Sequence, residues 1–320
     1  MSADLTIAGE QTPAELDEAS SLESVSHYAL ASSAQSTRRA YAAAFRDWQA
    51  WAQRAGATTL PAEPDAVAAY LAQLADRGLA VSTLMQRVAA LAYAHRLSGL
   101  PSPTQTPLVR AVLSGARREL GAKPDRKAAA TVDALGSMLA QVPVTITGRR
   151  DRALLLIGFA GALRRSELVG LDLEDLEEAD QGLILHIRQS KTDQAGEGRQ
   201  VAILHGTRLR PVQALQDWLC ASGITEGPVF RSCSSTGNVG QKRMDPGTVA
   251  RIIKKYAAAA GLDPDAFAGH SLRAGFATAA LDSGADLSAV ATQLGHAKLD
   301  TTRIYDRRSI FSSHAGRKIL

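Results

Sequence analysis

From Ser36 onward the chain repeats apolar side chains every three or four positions. In STRRAYAAAFRDWQAWAQRAG, Tyr41, Phe45, Trp48 and Ala52 fall on one helical face, with Ser36 or Thr37 able to cap the start and Gly56 the end. Further helices fit Asp65–Arg77, closed by Gly78, and Ser82–Leu97, with Leu84, Val88, Leu91 and His95 in register. A fourth fits Pro107–Leu120. Helices joined by short connections predict a compact helical domain over residues 31–120. The segment GAKPDRKAAA, residues 121–130, is short and basic with one proline, and reads as a linker or equally as an exposed loop. A second domain takes residues 131–320.

That domain opens on helical pattern. DRALLLIGFAGALRRSELVGL (Asp151–Leu171) reads as one apolar helix that turns polar at Arg164 and Arg165, with Glu167 on the side of Arg164. The period then drops to two. LILHIRQ (Leu183–Gln189) and RQVAILH (Arg199–His205) read as paired strands around the polar loop SKTDQAGEG, which holds Lys191. The rest reads as mostly helical. In SLRAGFATAALDSG, Leu272, Phe276 and Ala280 make the buried face, so His270 and Arg273 project together. In LSAVATQLGH, Leu287, Val290, Ala291 and Leu294 share a face, Gly295 ends the helix and His296 stands at its mouth. Asp300 can cap a last short helix carrying Tyr305. The expected fold class is mainly α with a small antiparallel β-sheet.

Composition adds bounds. The 320 residues suit two domains, and no apolar run approaches the length of a membrane span, about 20 residues. The first residues lack the basic start and apolar core of a signal peptide. Cys220 and Cys233 have neither metal nor redox spacing, which points to a reducing, cytoplasmic setting. The net charge of +4 hides an asymmetry. Residues 1–30 hold six acids and no lysine or arginine, so the remainder carries 36 basic against 26 acidic side chains. An acidic arm on a basic body suggests a polyanion-binding protein, although many basic proteins bind none.

Several chemistries fail on inspection. GHSLRAG nearly spells a serine-hydrolase elbow around Ser271, but Arg273 stands where the tight turn needs a second glycine. The carboxylates of LDLEDLEEAD (Leu171–Asp180) lie in one run and read as a solvated loop rather than convergent metal ligands. His270 and His296 have no partner at zinc-ligand spacing, and no phosphate-binding glycine loop exists. No metal or cofactor is expected.

What remains is a set of cations with one tyrosine. Breaking a phosphodiester without a metal needs an in-line nucleophile, cationic donors for the charge that builds on phosphorus, and an acid for the leaving oxygen. Arginine suits the donor role because its planar fork holds two oxygens at once. Taken singly, each residue has an ordinary reading: Arg164–Glu167 as a surface salt bridge, His270 as a helix cap, Lys191 as a solvated loop lysine, Tyr305 as a surface aromatic. Their order and spacing together argue otherwise.

The segments ALRRSELVGLDLEDL, QSKTDQ, HSLRAGFAT and LGHAKLDTTRIYDR resemble the tyrosine recombinase, or phage integrase, family. The resemblance implies Arg164 as the first transition-state arginine, buttressed by Glu167, and Lys191 as the donor of a proton to the leaving 5′ oxygen. It implies His270 and Arg273 as the H-x-x-R pair, His296 as the site's second histidine, and Tyr305 as the nucleophile. A helix shifted by one residue would give Arg165 the clamp, but the R-x-S-E-L spacing favours Arg164. The resemblance further implies a SAM-like core-binding domain and a mixed α/β catalytic domain in a C-shaped clamp on double-stranded DNA. It implies a homotetramer on inverted-repeat sites that recombines DNA through a 3′-phosphotyrosine and a Holliday junction. A type IB topoisomerase and an idle DNA-binding relative are the alternatives. Accessory proteins, the packing of the tail SIFSSHAGRKIL and the target sequence stay open.

Overall fold

The computed structural model describes residues 35–121, 127–188, 198–234 and 236–306. The acidic arm 1–30, Lys191 and the C-terminal tail lie outside the described residues, as do positions 122–126 of the expected linker. The chain divides into two units, Met1–Asp125 and Arg126–Leu320.

The first unit consists, as described, of α1 (Gln35–Ala55), α2 (Pro64–Asp76), α3 (Val81–Leu97) and α4 (Pro107–Leu120), with a short 3₁₀ turn before α4. α1 already includes Gln35, so Ser36 and Thr37 lie inside it rather than capping it. The apolar face of α1 buries Trp48 and Ala52 fully, and Trp48 meets Tyr70 edge-on at 5.3 Å. Its indole N–H donates to the Thr59 carbonyl at 2.9 Å, so the large ring is buried without an orphaned donor.

The second unit wraps helices around a long central one. α5 (Val132–Ala140) is followed by α6 (Ile146–Ala160), whose residues Ala153–Ile157 are buried on every face. α6 ends at Gly161, and Ala162 takes a left-handed φ of 49°. α7 (Arg165–Gly170) then begins afresh. The single helix expected over Asp151–Leu171 is therefore two. Left-handed backbone at alanine costs about 1–2 kcal/mol. The Ala162 carbonyl accepts a 2.8 Å bond from the Arg273 guanidinium, and such a charge-assisted bond is worth about 1.5–3 kcal/mol, enough to offset the strain.

The acidic run after α7 is not the solvated loop expected. Asp175 is buried, bonds the Asp172 N–H at 2.9 Å and pairs with Arg188, because these carboxylates start a sheet. β1 (Leu176–Ala179), β2 (Gly182–Ile187) and β3 (Arg199–Leu204) form an antiparallel sheet in that order. Leu185 pairs with Leu176 on one side and Val201 on the other. After α8 (Pro211–Ser222), the segment expected to be helical includes a hairpin, β4 (Arg231–Cys233) and β5 (Val239–Arg243). α9 (Pro246–Ala259), α10 (Ser271–Asp282), α11 (Leu287–Leu294) and α12 (Leu299–Arg303) complete the described unit. α10 runs so close to residue 130 that a Cβ on Gly275 would sit 1.9 Å from the Ala130 carbonyl oxygen. A small satellite core of Ala162, Ala277, Leu281, Val290 and Leu294 lies beneath α10 and α11, and Tyr305 packs on it.

Candidate active site

Arg164 is the N-cap of α7, in extended backbone with φ −69° and ψ 152°. Glu167, in the first turn, accepts its backbone N–H at 2.9 Å and its Nη1 at 2.6 Å. The residue pair thus follows capping-box logic, with the carboxylate returning to the cap. Arg165 is exposed, so Arg164 is the one held by Glu167. Glu167 is buried, which by itself raises its pKa. The Arg164 N–H and guanidinium and the charge of Arg199 outweigh that and hold it below the ordinary carboxylate value.

Arg273 was expected to project from α10, and instead it is buried, at 1% exposure. α10 is not one-sided: Leu272, Gly275, Ala277 and Thr278 are buried too, while Ala280 of the expected face is only half-buried. The Arg273 guanidinium donates to the Ala162 carbonyl at 2.8 Å and the Leu294 carbonyl at 2.5 Å. It therefore spans the turn before Arg164 and the end of α11 before His296. Burial, then repulsion from Arg164, bring its pKa down to about 10, still protonated at neutral pH. His270 is the N-cap of the same helix, but its side chain makes no capping bond. Partial desolvation, then the cations Arg273, Arg164 and Arg165, lower its pKa. The neighbouring Ser271 is buried and its Oγ accepts the Ala268 N–H at 2.9 Å, a structural tie.

Gly295 ends α11 with φ +62°, and His296 follows. The His296 Nδ1 meets the Thr302 hydroxyl at 2.8 Å, and its ring lies nearly parallel to Tyr305, at 13° with centroids 6.4 Å apart. Thr302 is fully buried, and its carbonyl accepts the Tyr305 N–H at 3.0 Å. Asp300 does not cap α12. Lys298 holds that position, Asp300 pairs with Arg303 at 2.8 Å, and Tyr305 follows the helix rather than riding on it. Burial, then Arg273, Arg164 and Arg199, drive the His296 pKa down to about 4, so the ring is neutral at pH 7. A cavity of about 460 Å³ is lined by His270, Thr278, Ile304 and Tyr305, with Lys127 among its walls.

Arg164, Glu167, His270, Arg273, His296 and Tyr305 thus come from four segments into one electrostatic neighbourhood, while Lys191 lies outside the described residues. Two members escaped the sequence reading. Arg199 donates to Glu167 at 3.0 Å, and strand alternation offered the signal, because Arg199, Val201 and Ile203 share a face. Thr302 stands three residues before Tyr305 on a helix too short for periodicity to register.

Residues 131–310 match the phage integrase family, and residues 25–97 match the phage integrase N-terminal SAM-like domain. The chain is 38% identical over 292 residues to the integrase/recombinase xerD homolog of Selenomonas ruminantium, covering 89% of this chain and 85% of that one. It is 30% identical over 190 residues to the recombinase cre of Escherichia phage P1, covering 57% of this chain and 54% of that one. In fold it is similar to the Tn1549 transposon integrase solved with transposon right-end DNA, with a TM-score of 0.64 at 16% identity, covering 93% of this chain and 96% of that one. It is also similar to the lambda integrase dimer bound to a COC′ core site, with a TM-score of 0.62 at 20% identity, covering 89% and 77%.

Proposed function

The chain belongs to the phage integrase family of tyrosine recombinases, site-specific enzymes that break and rejoin DNA, and on that premise we propose that Tyr305 is its nucleophile. The observation that carries this reading is the stacking of Tyr305 on His296 inside a cluster whose cations, Arg164 and Arg273, arrive from two other elements. The relatives named above are recombinases and integrases, which leaves the topoisomerase alternative without support.

The Tyr305 oxygen attacks a backbone phosphorus. The new oxygen–phosphorus bond forms as the bond to the 5′ oxygen breaks, leaving the DNA 3′ end on the tyrosine. Arg164 and Arg273 hold the nonbridging oxygens as charge builds there, Arg164 aligned by Glu167. His270, neutral because its pKa is lowered, lines the same cavity as Tyr305 and takes the phenol proton. The contact of His296 Nδ1 with the Thr302 hydroxyl orients the ring, and in this reading the ring carries its proton at Nε2, a donor toward the phosphate. Lys191 gives a proton to the leaving 5′ oxygen. A 5′ hydroxyl from a partner duplex then reverses the step, and the phosphotyrosine bond supplies the energy for rejoining. The partner is double-stranded DNA with inverted-repeat sites, bound by four protomers in the cytoplasm.

The test is covalent trapping. Wild type and Tyr305→Phe are expressed in a host carrying the gene's native flanking DNA, lysed in SDS, and the attached DNA is sequenced. Adducts should form with wild type alone, at 3′ ends clustered on one inverted repeat. Adducts persisting in Tyr305→Phe sink the nucleophile, and their absence from wild type sinks the reading as a whole.

A further inference from the structure

Arg199 opens β3 on the face that buries Val201 and Ile203, and its guanidinium reaches two other elements. Nη2 donates to Glu167 Oε2 at 3.0 Å, and Nη1 donates to the Gln293 carbonyl at 2.9 Å. Its stem crosses directly over Gly295, where a Cβ would meet Nε at 2.8 Å and Cδ at 3.0 Å. Gly295 is thus fixed twice, by its left-handed φ of +62° and by this close passage. The tie is returned from the other side. Gln293 Nε2 donates to the carbonyls of Ala202 on β3 at 3.0 Å and Ala160 at 3.2 Å.

The Arg199 contacts are therefore of two kinds. One is to the carboxylate that fixes Arg164. The other is to the last turn of α11, after which Gly295 reverses the chain and His296 follows. A planar fork with spaced donors can serve both at once, which a single ammonium cannot. The buried Nε has no hydrogen-bond partner among the described residues, so the group is held there in spite of a desolvated donor, at the expense such a group carries. A surface arginine that only balanced charge would turn that N–H to water.

We propose that Arg199 is a positioning residue of the reaction, setting Arg164 and His296 in register so that both meet the same phosphate. The inference rests on the recombinase reading above. Its charge also contributes to keeping His296 neutral, which gives the role a signature independent of DNA.

The experiment uses full-length Arg199→Gln and Arg199→Lys. In SDS trapping on a supercoiled plasmid carrying the native flanking DNA, the Gln variant should yield adducts about 100-fold more slowly, the order of effect expected from misplacing a reacting group by about 1 Å. The Lys variant should fall between Gln and wild type. Equilibrium binding of both to the same DNA should stay within about twofold of wild type, because no phosphate contact is lost. In ¹³C-histidine NMR of the free protein, the His296 titration should move up in Gln and stay near wild type in Lys, whereas a rise in both would come from lost burial of the ring and overturn the charge role of Arg199. Unchanged adduct rates in Gln overturn the proposal, as does an unmoved His296 titration. Binding lost in proportion to adducts also overturns it, making Arg199 a DNA contact instead. If Gln does not fold, Lys carries the adduct and binding readouts, and a Lys variant equal to wild type in adduct rate overturns the proposal. If wild type itself forms no adduct, the recombinase reading fails, and the His296 titration still decides whether Arg199 acts on that ring.

Discussion

His95 in the helical unit and His296 in the catalytic unit carry the same side chain into different surroundings. His95 is fully buried in α3, where its Nε2 accepts the Ala62 N–H at 2.9 Å and its Nδ1 meets the Leu91 carbonyl at 2.8 Å. Both nitrogens are used, and both partners are backbone. His296 is half-buried, tied at Nδ1 to the Thr302 hydroxyl and stacked on Tyr305, and among the described residues no group bonds its Nε2. Its neighbours are cations rather than carbonyls. A histidine that serves the fold is closed on both edges. One that serves chemistry is gripped from one side and left with an edge for a ligand. The same contrast separates the two units more widely: both bury aromatic rings, but among the described residues only the second buries carboxylates and guanidiniums, Glu167 and Arg273 among them.

The largest effect should come from Arg273, buried as deeply as His95 yet set among charges. Arg273→Met removes the proposed donor to the phosphate and should lower trapped adducts by about 10²–10³-fold. It also leaves the Ala162 and Leu294 carbonyls without their partner, which should cost about 1–3 kcal/mol each in thermal unfolding. His95→Leu is the counterpart. Orphaning the Ala62 N–H should cost about 1–3 kcal/mol of stability, while adduct yield per folded molecule stays at the wild-type level. Chemistry lost along with stability in His95→Leu would break the distinction between the two histidines.

Acid should sharpen it. The folded pKa of His296 is about 4, below the ordinary 6.5, so the unfolded chain takes up a proton first. The stability this ring contributes is whole above 6.5 and drains away as pH falls toward 4. His270, also lowered, adds in the same direction below 6.5, and Glu167 adds only below 4.5. The melting temperature of wild type should therefore drop between pH 7.5 and 5 by more than that of His296→Gln. Equal drops would mean that His296 is not held neutral by the fold.

How much of this was legible depends on what fixes each residue. Trp48 and Ala52 lie on an apolar face with a solvated opposite face, and three-to-four spacing finds such a face directly. Arg273 defeats the same rule. In a helix buried nearly all round, a charged position reads as the solvent side although its guanidinium is held inward by two carbonyls. The break at Ala162 was likewise hidden, because an alanine in left-handed backbone carries no mark in the sequence and exists here on the strength of a bond from residue 273. Asp175 was misread for the converse reason: its neighbours in the chain are acidic, but its partner is Arg188, across the sheet. The chain neighbours of a residue expose its period, whereas partners far along the chain decide where a charge is buried.

The smallest expected effect makes the finest test. The partners of His95 are main-chain groups: no substitution at Leu91 removes its carbonyl, and only proline at Ala62 removes its N–H, whereas the partner of His296 is one hydroxyl. Thr302→Val keeps the β-branched shape in its fully buried place and deletes only that hydroxyl. Losing one neutral hydrogen bond of about 1 kcal/mol should slow adduct formation by roughly fivefold. The melting temperature also falls slightly, since Nδ1 is left facing a methyl group. Thr302→Ser restores the oxygen and should recover most of the rate, even though it packs less well. A Val variant as fast as wild type would mean that stacking on Tyr305 alone orients His296. A Ser variant as slow as Val would mean that packing at residue 302, rather than its hydroxyl, sets the ring.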